Sequence, residues 1–489
     1  MSFVFIDNNA DIDRATRKRI RTHAATGKNA NRTLTRPSRT KAIVRKDSSA
    51  TPFRVPETIT RARRDKTADE EVPRPVTDGL LFPIPVPETS KGLVREALFF
   101  FSGVRYNPEL DGALENPSQM GSIWVQYFFL DEAYFHCSVA TTILCSRNLV
   151  RETAQGMYHI ARTYRIVQKR LRSQEEATSD MTMAILVAMS QYERLQGQFE
   201  RGYVHLQGLR RMVELRGGIR HFDSESCGVI QKVLRADLEF ALQLGSRTLS
   251  GVEGIEFLRL CKGVCIHDGK MADRLTDPGI DSHLQMSLRA DLWTIFSDMR
   301  SLAMLLNNAD AGHRQKLDAV GFHNTIMLLG FRLLHIGPLD TSTDSGTCPN
   351  SSMSILEEAV HLGLVAFLVT FLRGLDHRVA DKPLLSSRLR LAIQKMSSAA
   401  EEGAGGEFMQ RVLLWMLFIG AVVVFKPSDD EWLIPTTNNT MKALGLSSWD
   451  EVKKTSIRFP WVHAIHDRAG MVLCSTQKFL EFSIQDHLP

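Results

Sequence analysis

Apolar side chains recur at spacings of three and four along most of this 489-residue chain, with no repeated strand-then-helix units among them. Trp124, Phe128, Asp131, Phe135 and Val139 mark one such series, and Tyr127, Leu130 and Tyr134 widen it. A stripe that broad cannot be satisfied by one neighbour, so it predicts a helix packed between several others. A second helix is predicted from about 180 to 199, seamed by Ala184, Ile185, Ala188, Tyr192, Leu195 and Phe199. Asp180 stands at its start, where a carboxylate meets the exposed amides of the first turn. A third helix follows through Tyr203, Leu206, Leu209 and Val213 and stops before Gly217 and Gly218, which can take the left-handed conformation that closes a helix. Arg216 stands beside its electronegative end. The fold class expected is all-α, one large helical domain; a parallel sheet would need the strand and helix alternation that is missing. Further helices are expected over 325–335 and 355–374, with projecting loops at 337–352 and 397–406.

The most membrane-like stretch, Val412 to Phe425, is 14 residues long. As a helix it spans about 21 Å against a hydrocarbon layer of about 30 Å, so a buried core helix and a soluble protein with no membrane partner are expected. Seven cysteines, an odd number without the dense spacing of a secreted scaffold, fit a reducing compartment. The opening residues carry acids where an export signal needs a basic lead and an apolar core.

Charge divides the chain unevenly. Residues 1–74 hold 18 basic and 9 acidic side chains, net +9, whereas the rest hold 42 and 46, net −4. Positions 14–46 alone carry twelve Arg and Lys and no acid. The stretch from about 24 to 90 is rich in Thr, Ser, Pro and charge, with Pro83, Pro85 and Pro87 near its end. Such a composition resists helix and packs poorly, so 1–90 is expected to be a largely disordered basic arm and 91–489 the helical domain. Within the arm, Asp13 can cap a short helix over 13–23 carrying Arg14, Arg17, Lys18, Arg19 and Arg21. Arg14, Lys18 and Arg21 then share a face and can meet successive phosphates. Phosphate contact gives affinity without base choice, so duplex DNA would be held non-specifically. A second cluster, Arg61, Arg63, Arg64 and Lys66, can add to that contact or serve an import receptor. Neither cluster has the interleaved aromatics of a single-strand binder.

Chemistry is hard to find. The sequence contains no phosphate-binding G-x-x-x-x-G-K-S/T loop, no H-E-x-x-H pair and no G-x-S-x-G elbow. Cys261 and Cys265 would stand one turn apart on a helix, with His267 following, but a lone cluster of this kind reads as structural and not as a zinc site. His463 and His466 share a helical face and are expected to be ordinary hydrogen-bonded histidines. Asp131 and Glu132 open an apolar segment, so one of them should meet an arginine or a helix terminus. No catalytic residue, metal or cofactor is expected.

His205 to Gly218, HLQGLRRMVELRGG, resembles the H-x-x-G-L-x-x-M-V-x-x-R-G-G signature of the fungal-specific transcription factor domain. The signature positions here are His205, Gly208, Leu209, Met212, Arg216, Gly217 and Gly218, with Asp237 at the usual aspartate of the next helix. Trp415, Gly420, Trp432 and Trp449 match the closing aromatic and glycine anchors, and Phe3 to His23 is similar to the opening of many fungal relatives. The sequence departs from the DNA-binding members in having no cysteine before Cys137, so it holds no six-cysteine zinc cluster ahead of the helical domain. The resemblance therefore implies a nuclear, transcription-associated regulator that acts through nuclear protein partners and lacks the base-reading module. The signature itself is expected to be structural: Gly208 to let a neighbouring helix close in, His205 to bridge helices by a hydrogen bond. Exposed faces leave a homodimer open, without a heptad that specifies one. The competing readings are a scaffold that binds no DNA and an effector-sensing or enzymatic helical domain.

Overall fold

Capping chemistry sets where the helices begin. In a computed structural model of the chain, the residues described are 82–86, 90–103, 107–116, 119–145, 153–222, 227–265, 278–340, 353–372, 382–401, 406–426 and 429–485. They form eighteen α-helices and one pair of two-residue strands. The basic arm, with Arg14, Arg17, Lys18, Arg19, Arg21, Arg61, Arg63, Arg64 and Lys66, lies outside the described residues, as do the helix expected at 13–23 and the loop at 341–352.

The first helices are α1 (Lys91–Gly103), α2 (Gln119–Leu130), α3 (Glu132–Cys145), α4 (Thr153–Arg170) and α5 (Gln174–Ala177). The broad stripe read as one helix is two, broken at Asp131. Its Oδ1 accepts the Tyr134 amide at 2.8 Å and its Oδ2 takes Arg170 at 2.6 Å. A buried carboxylate that serves an N-terminal amide and an arginine starts a new helix instead of continuing the old one. Both partners expected for this acid pair are present, since Glu132 also meets Arg162 at 2.8 Å.

Next come α6 (Asp180–Leu195), α7 (Phe199–Leu215), α8 (Cys227–Leu244) and α9 (Gly251–Leu260). Ser179 caps α6 by accepting the Thr182 amide. The chain continues with α10 (Pro278–Ser287), α11 (Ala290–Asp310), α12 (Ala319–Ile336) and α13 (Ile355–Val369). It ends with α14 (Pro383–Glu401), α15 (Gly406–Val423), α16 (Asp430–Ala443), α17 (Trp449–Ser456) and α18 (His463–Gln485). Reciprocal Ser/Glu boxes start α13 (Ser354, Glu357) and α17 (Ser448, Glu451). The stretch 397–401, read as loop, is the last turn of α14: its Ser, Ala and Glu residues carry no left-handed or proline break, so the helix runs on to Glu401. Strands β1 (Leu114–Glu115) and β2 (Leu317–Asp318) pair in parallel, Leu114 opposite Leu317.

Two helices, α12 and α15, have the length and apolarity of a membrane span. Both are core helices: every residue of α15 from Val412 to Gly420 is buried. Buried apolar side chains form one connected cluster from Val94 to Cys474. In its last third, glycines serve as notches for aromatic rings. A Cβ on Gly363 would stand 2.5 Å from the Trp415 ring, and one on Gly470 would stand 2.5 Å from Trp449. Side chains cannot approach so closely, so these sites admit glycine alone unless the rings move.

Candidate functional site

The signature helix α7 folds back on α6 as a hairpin, and its glycines do three different things. Gly217 and Gly218 have φ of 95° and 90°, which ends α7 and turns the chain. Gly202, which the sequence reading passed over, is the close-approach residue: a Cβ there would lie 2.5 Å from the Phe240 ring and 2.9 Å from the Ser190 carbonyl. Gly208, expected in that role, has no atom within 4 Å of its Cβ position. The expectation fails because Gly208 lies on a flank of α7 that, among the described residues, no helix covers.

Arg216 ties the hairpin shut. Its guanidinium donates to the Asp180 carboxylate and to the Thr178 carbonyl at the start of α6, and lies 4.0 Å from the Phe222 ring centroid. Instead of interacting with the end of its own helix, it links the end of α7 to the start of α6. Leu209, Met212 and Val213 are buried beneath. Past the glycines, Glu253 on α9 accepts the Ile219 amide at 2.8 Å and Arg210 of α7 at 3.0 Å. Asp237 on α8 is buried and takes the Leu249 and Ser250 amides, each at 2.8 Å. Burial pushes its carboxyl up, against the pull of those two amides. Leu206, Val213, Asp237 and Ser250 border a cavity of about 10 Å³, room for no more than one water.

His205 makes its inter-helix contact as a ring, 6.2 Å from Tyr164 of α4, and not as a hydrogen bond. Tyr164 donates its hydroxyl to Glu193 of α6, which is 4% exposed. Burial and this carboxylate together raise the Tyr164 pKa, while burial lowers that of His205. Tyr192 and Cys137 on neighbouring helices are both pushed up to about 12, chiefly by burial. A cysteine held as thiol in this way is a packing residue and no nucleophile.

The deepest charges were invisible in the sequence. Arg194, 2% exposed, reaches Glu239 at 3.2 Å, and Arg235 reaches the same carboxylate at 2.5 Å. Burial pushes the Glu239 carboxyl up, but the two guanidiniums outweigh it and hold it below its ordinary value. Near by, Lys232 is buried with its ammonium 4.5 Å from the Tyr127 ring centroid. The sole local clue was the i, i+4 spacing of Arg235 and Glu239.

Elsewhere the candidates resolve into structure. Leu260 ends α9, so Cys261 and Cys265 lie on irregular chain and are not one helical turn apart; His267 lies outside the described residues. His466 is fully buried and its Nδ1 accepts the Val462 amide at 2.8 Å, a cap on α18, while His463 stands 3.4 Å from Asp467. Trp415 donates to the Pro460 carbonyl at 3.1 Å, and a Cβ on Gly420 would meet the Phe425 ring at 2.3 Å. Trp432 stacks edge-on to Phe425, and Trp449 meets Phe418. Among the described residues no three His, Cys, Asp or Glu side chains are grouped to hold a metal ion.

Signature helix, aspartate and tryptophan anchors therefore form one framework, and residues 113–450 match the model of the fungal specific transcription factor domain. The chain belongs to that family. The match contains every signature and anchor position named above, while α18, which follows it, packs on the same core through Ile465 and Leu473. No curated protein and no solved structure matches the chain. The family is one of transcription factor domains and not of enzymes, which gives the chain a regulatory role in transcription.

Proposed function

We propose that the chain is a nuclear, transcription-associated regulator whose helical domain, residues 91–489, binds protein partners, and whose basic arm, residues 1–90, contacts nucleic acid or an import receptor. The observation that carries this reading is the family match over most of the helical part. Two features support it. The ionisable groups of the signature region are spent on helix ends, buried ion pairs and ring packing, and Asp237, which borders the cavity beside Ser250, is occupied by the Leu249 and Ser250 amides. The arm concentrates cations without acids between residues 14 and 46, the pattern of a phosphate or receptor contact.

A reporter assay tests the core of the proposal. The chain, fused to an unrelated DNA-binding module, should change transcription from a promoter bearing that module's site, and a tagged full chain should accumulate in the nucleus. An unchanged reporter together with a cytosolic tag would overturn it. Duplex DNA titrated at several salt concentrations separates the arm's roles: affinity that falls steeply with salt, and whose slope shrinks when residues 1–46 are removed, assigns the contact to DNA. Affinity absent even at low salt, with nuclear entry lost on the same deletion, assigns it to import.

A further inference from the structure

Gly208 poses a question that the fold does not answer. Glycine inside a helix costs stability relative to alanine and is ordinarily explained by a positive φ or by a close neighbour. Gly202 has such a neighbour, and Gly217 and Gly218 have positive φ. Gly208 has neither: it sits in mid-helix with open space where its Cβ would be. Its flank of α7 also carries Arg201, Val204, His205 and Leu215, with Val204 62% and Leu215 48% exposed.

The flank touches a second exposed stripe at one ring contact. Tyr164, in ring contact with His205, joins it to α4, along which Met157 and Tyr164, with Leu171 just past its end, recur every seven residues and are 59%, 38% and 47% exposed. Residues at that spacing lie along one face of a helix, where a partner helix can cover them. Beneath the Tyr164 to His205 contact lies buried Glu193, one of whose carboxylate oxygens, Oε2, has no hydrogen-bond partner. The rims are cationic. Arg165, Lys169, Arg172 and Arg201 are exposed and make no ion pair among the described residues; the exposed acids near them in sequence that also make none are Glu200 and, past the end of α4, Glu175 and Glu176.

We infer that the groove between α4 and α7 is a docking site for one amphipathic helix of another protein, its apolar face on Met157, Tyr164, Val204 and Leu215, its backbone seated over Gly208 and its acidic flanks on the arginine and lysine rims. Charge decides the occupant. A second copy of this chain, meeting the groove through the same face, would set these cations against themselves, whereas an acidic helix neutralises them. The inference rests on the protein-partner reading above and names the chemistry of the partner.

Two synthetic helical peptides of about 20 residues test it, alike in their leucine stripe but with glutamate in one and lysine in the other at every flanking position. Fluorescence anisotropy with the full chain should show the glutamate peptide binding at least about tenfold more tightly, with affinity that falls as salt rises. Gly208→Gln fills the seat, and the pair Arg165→Glu with Arg201→Glu reverses the rims; each should weaken binding about tenfold with circular dichroism unchanged, while Leu391→Gln, on another surface, should not. Equal binding of the two peptides, or a Gly208→Gln variant that binds as before, overturns the site. A dimer in sedimentation that Gly208→Gln dissociates gives the groove to a second copy and overturns the choice of occupant. Peptide binding with a silent reporter refutes the transcription reading alone; an active reporter without peptide binding refutes the groove alone.

Discussion

The α6–α8 region and the α13–α18 region bury their side chains by opposite means. In the first, Arg194, Glu193, Lys232, Asp237 and Glu239 are all less than a tenth exposed, and each is held by an ion pair, an amide, a hydroxyl or a ring. In the second, Trp415, Phe418, Phe459 and Trp461 are at or below 1% exposure, and shape does the matching: rings stack on one another and fit against Gly363, Gly420 and Gly470. Apolar packing is stronger per side chain but tolerates many substitutes of equal volume. Buried ion pairs add little net stability, yet losing one partner is severe, so they select one arrangement over its neighbours. The region that carries the family signature is thus fixed by charge, and the region that closes the fold is fixed by volume.

The largest effects should come from breaking each mode in its own region. Trp415→Ala should cost about 3–5 kcal/mol in denaturant unfolding, as a large buried ring is lost. Glu239→Gln should cost a similar ~3–5 kcal/mol by stranding Arg194 and Arg235, but here the loss is recoverable: replacing Arg194, Arg235 and Glu239 together with apolar residues of like volume should restore most of it. No partner substitution at Gly363 should rescue Trp415→Ala in that way. If both regions respond alike to such paired replacements, the distinction fails.

A second, intermediate effect is on pH. Burial lowers His159 to about 4 and His323 to about 3, with His136 and Arg235 adding to the shift. A histidine depressed on folding makes no difference above its unfolded value of about 6.5. Between there and its folded value the unfolded chain takes up a proton that the folded chain refuses, so stability falls with acid. Stability should therefore drop from pH 6.5 to 4, by up to about 1.4 kcal/mol per pH unit for His323, and His323→Asn should flatten the slope. Asp467, held near 2 against its burial by hydrogen bonds from His463, Lys453 and Trp461, adds its loss only below its ordinary value near 3.8. Unfolding midpoints of the parent and of His323→Asn, measured at pH 7, 5.5, 4 and 2.5, separate the two contributions.

The smallest effects sharpen the comparison at single helix positions. Ser354→Ala should cost about 1 kcal/mol by opening the box that starts α13. Gly208→Ala should have the opposite sign, stabilising by about 0.5–1 kcal/mol because nothing stands in the way of the new methyl group, whereas Gly202→Ala should destabilise against Phe240. Thermal melts of the two alanine variants, side by side, check the pair.

Much of the fold was legible because helix periodicity is local: the start of α6, the end of α7, the glycine turn after Leu215 and the burial of Val412 to Gly420 follow from residues a few positions apart, whereas α6 stops at Leu195 and Phe199, expected in its seam, opens α7. The break at Asp131 was missed because the apolar spacing carries straight through it, and the decision lies with Arg170, 39 residues away. The two Ser/Glu boxes, by contrast, were readable as S-x-x-E at Ser354 and Ser448. Gly202 and Gly208 could not be told apart from their neighbours in sequence, since what separates them is a ring from α8. Of the candidate site, Arg216 and Asp237 were found as positions, but their partners, Asp180, Thr178 and the Leu249 and Ser250 amides, are set by tertiary packing alone.

Arg194 leaves the ribosome a whole helix and two connections before Glu239. Domains assemble as synthesis proceeds, and through that interval Glu239 has not yet been made, so hydration favours keeping the Arg194 guanidinium in water. The α6–α7 hairpin can close early at its far end, where Asp180 and Arg216 meet, but the Arg194 end gains nothing from collapsing on the wrong surface. Arrival of α8 ends the wait. The buried ion pair thereby closes only once α8, which carries Glu239, has been made.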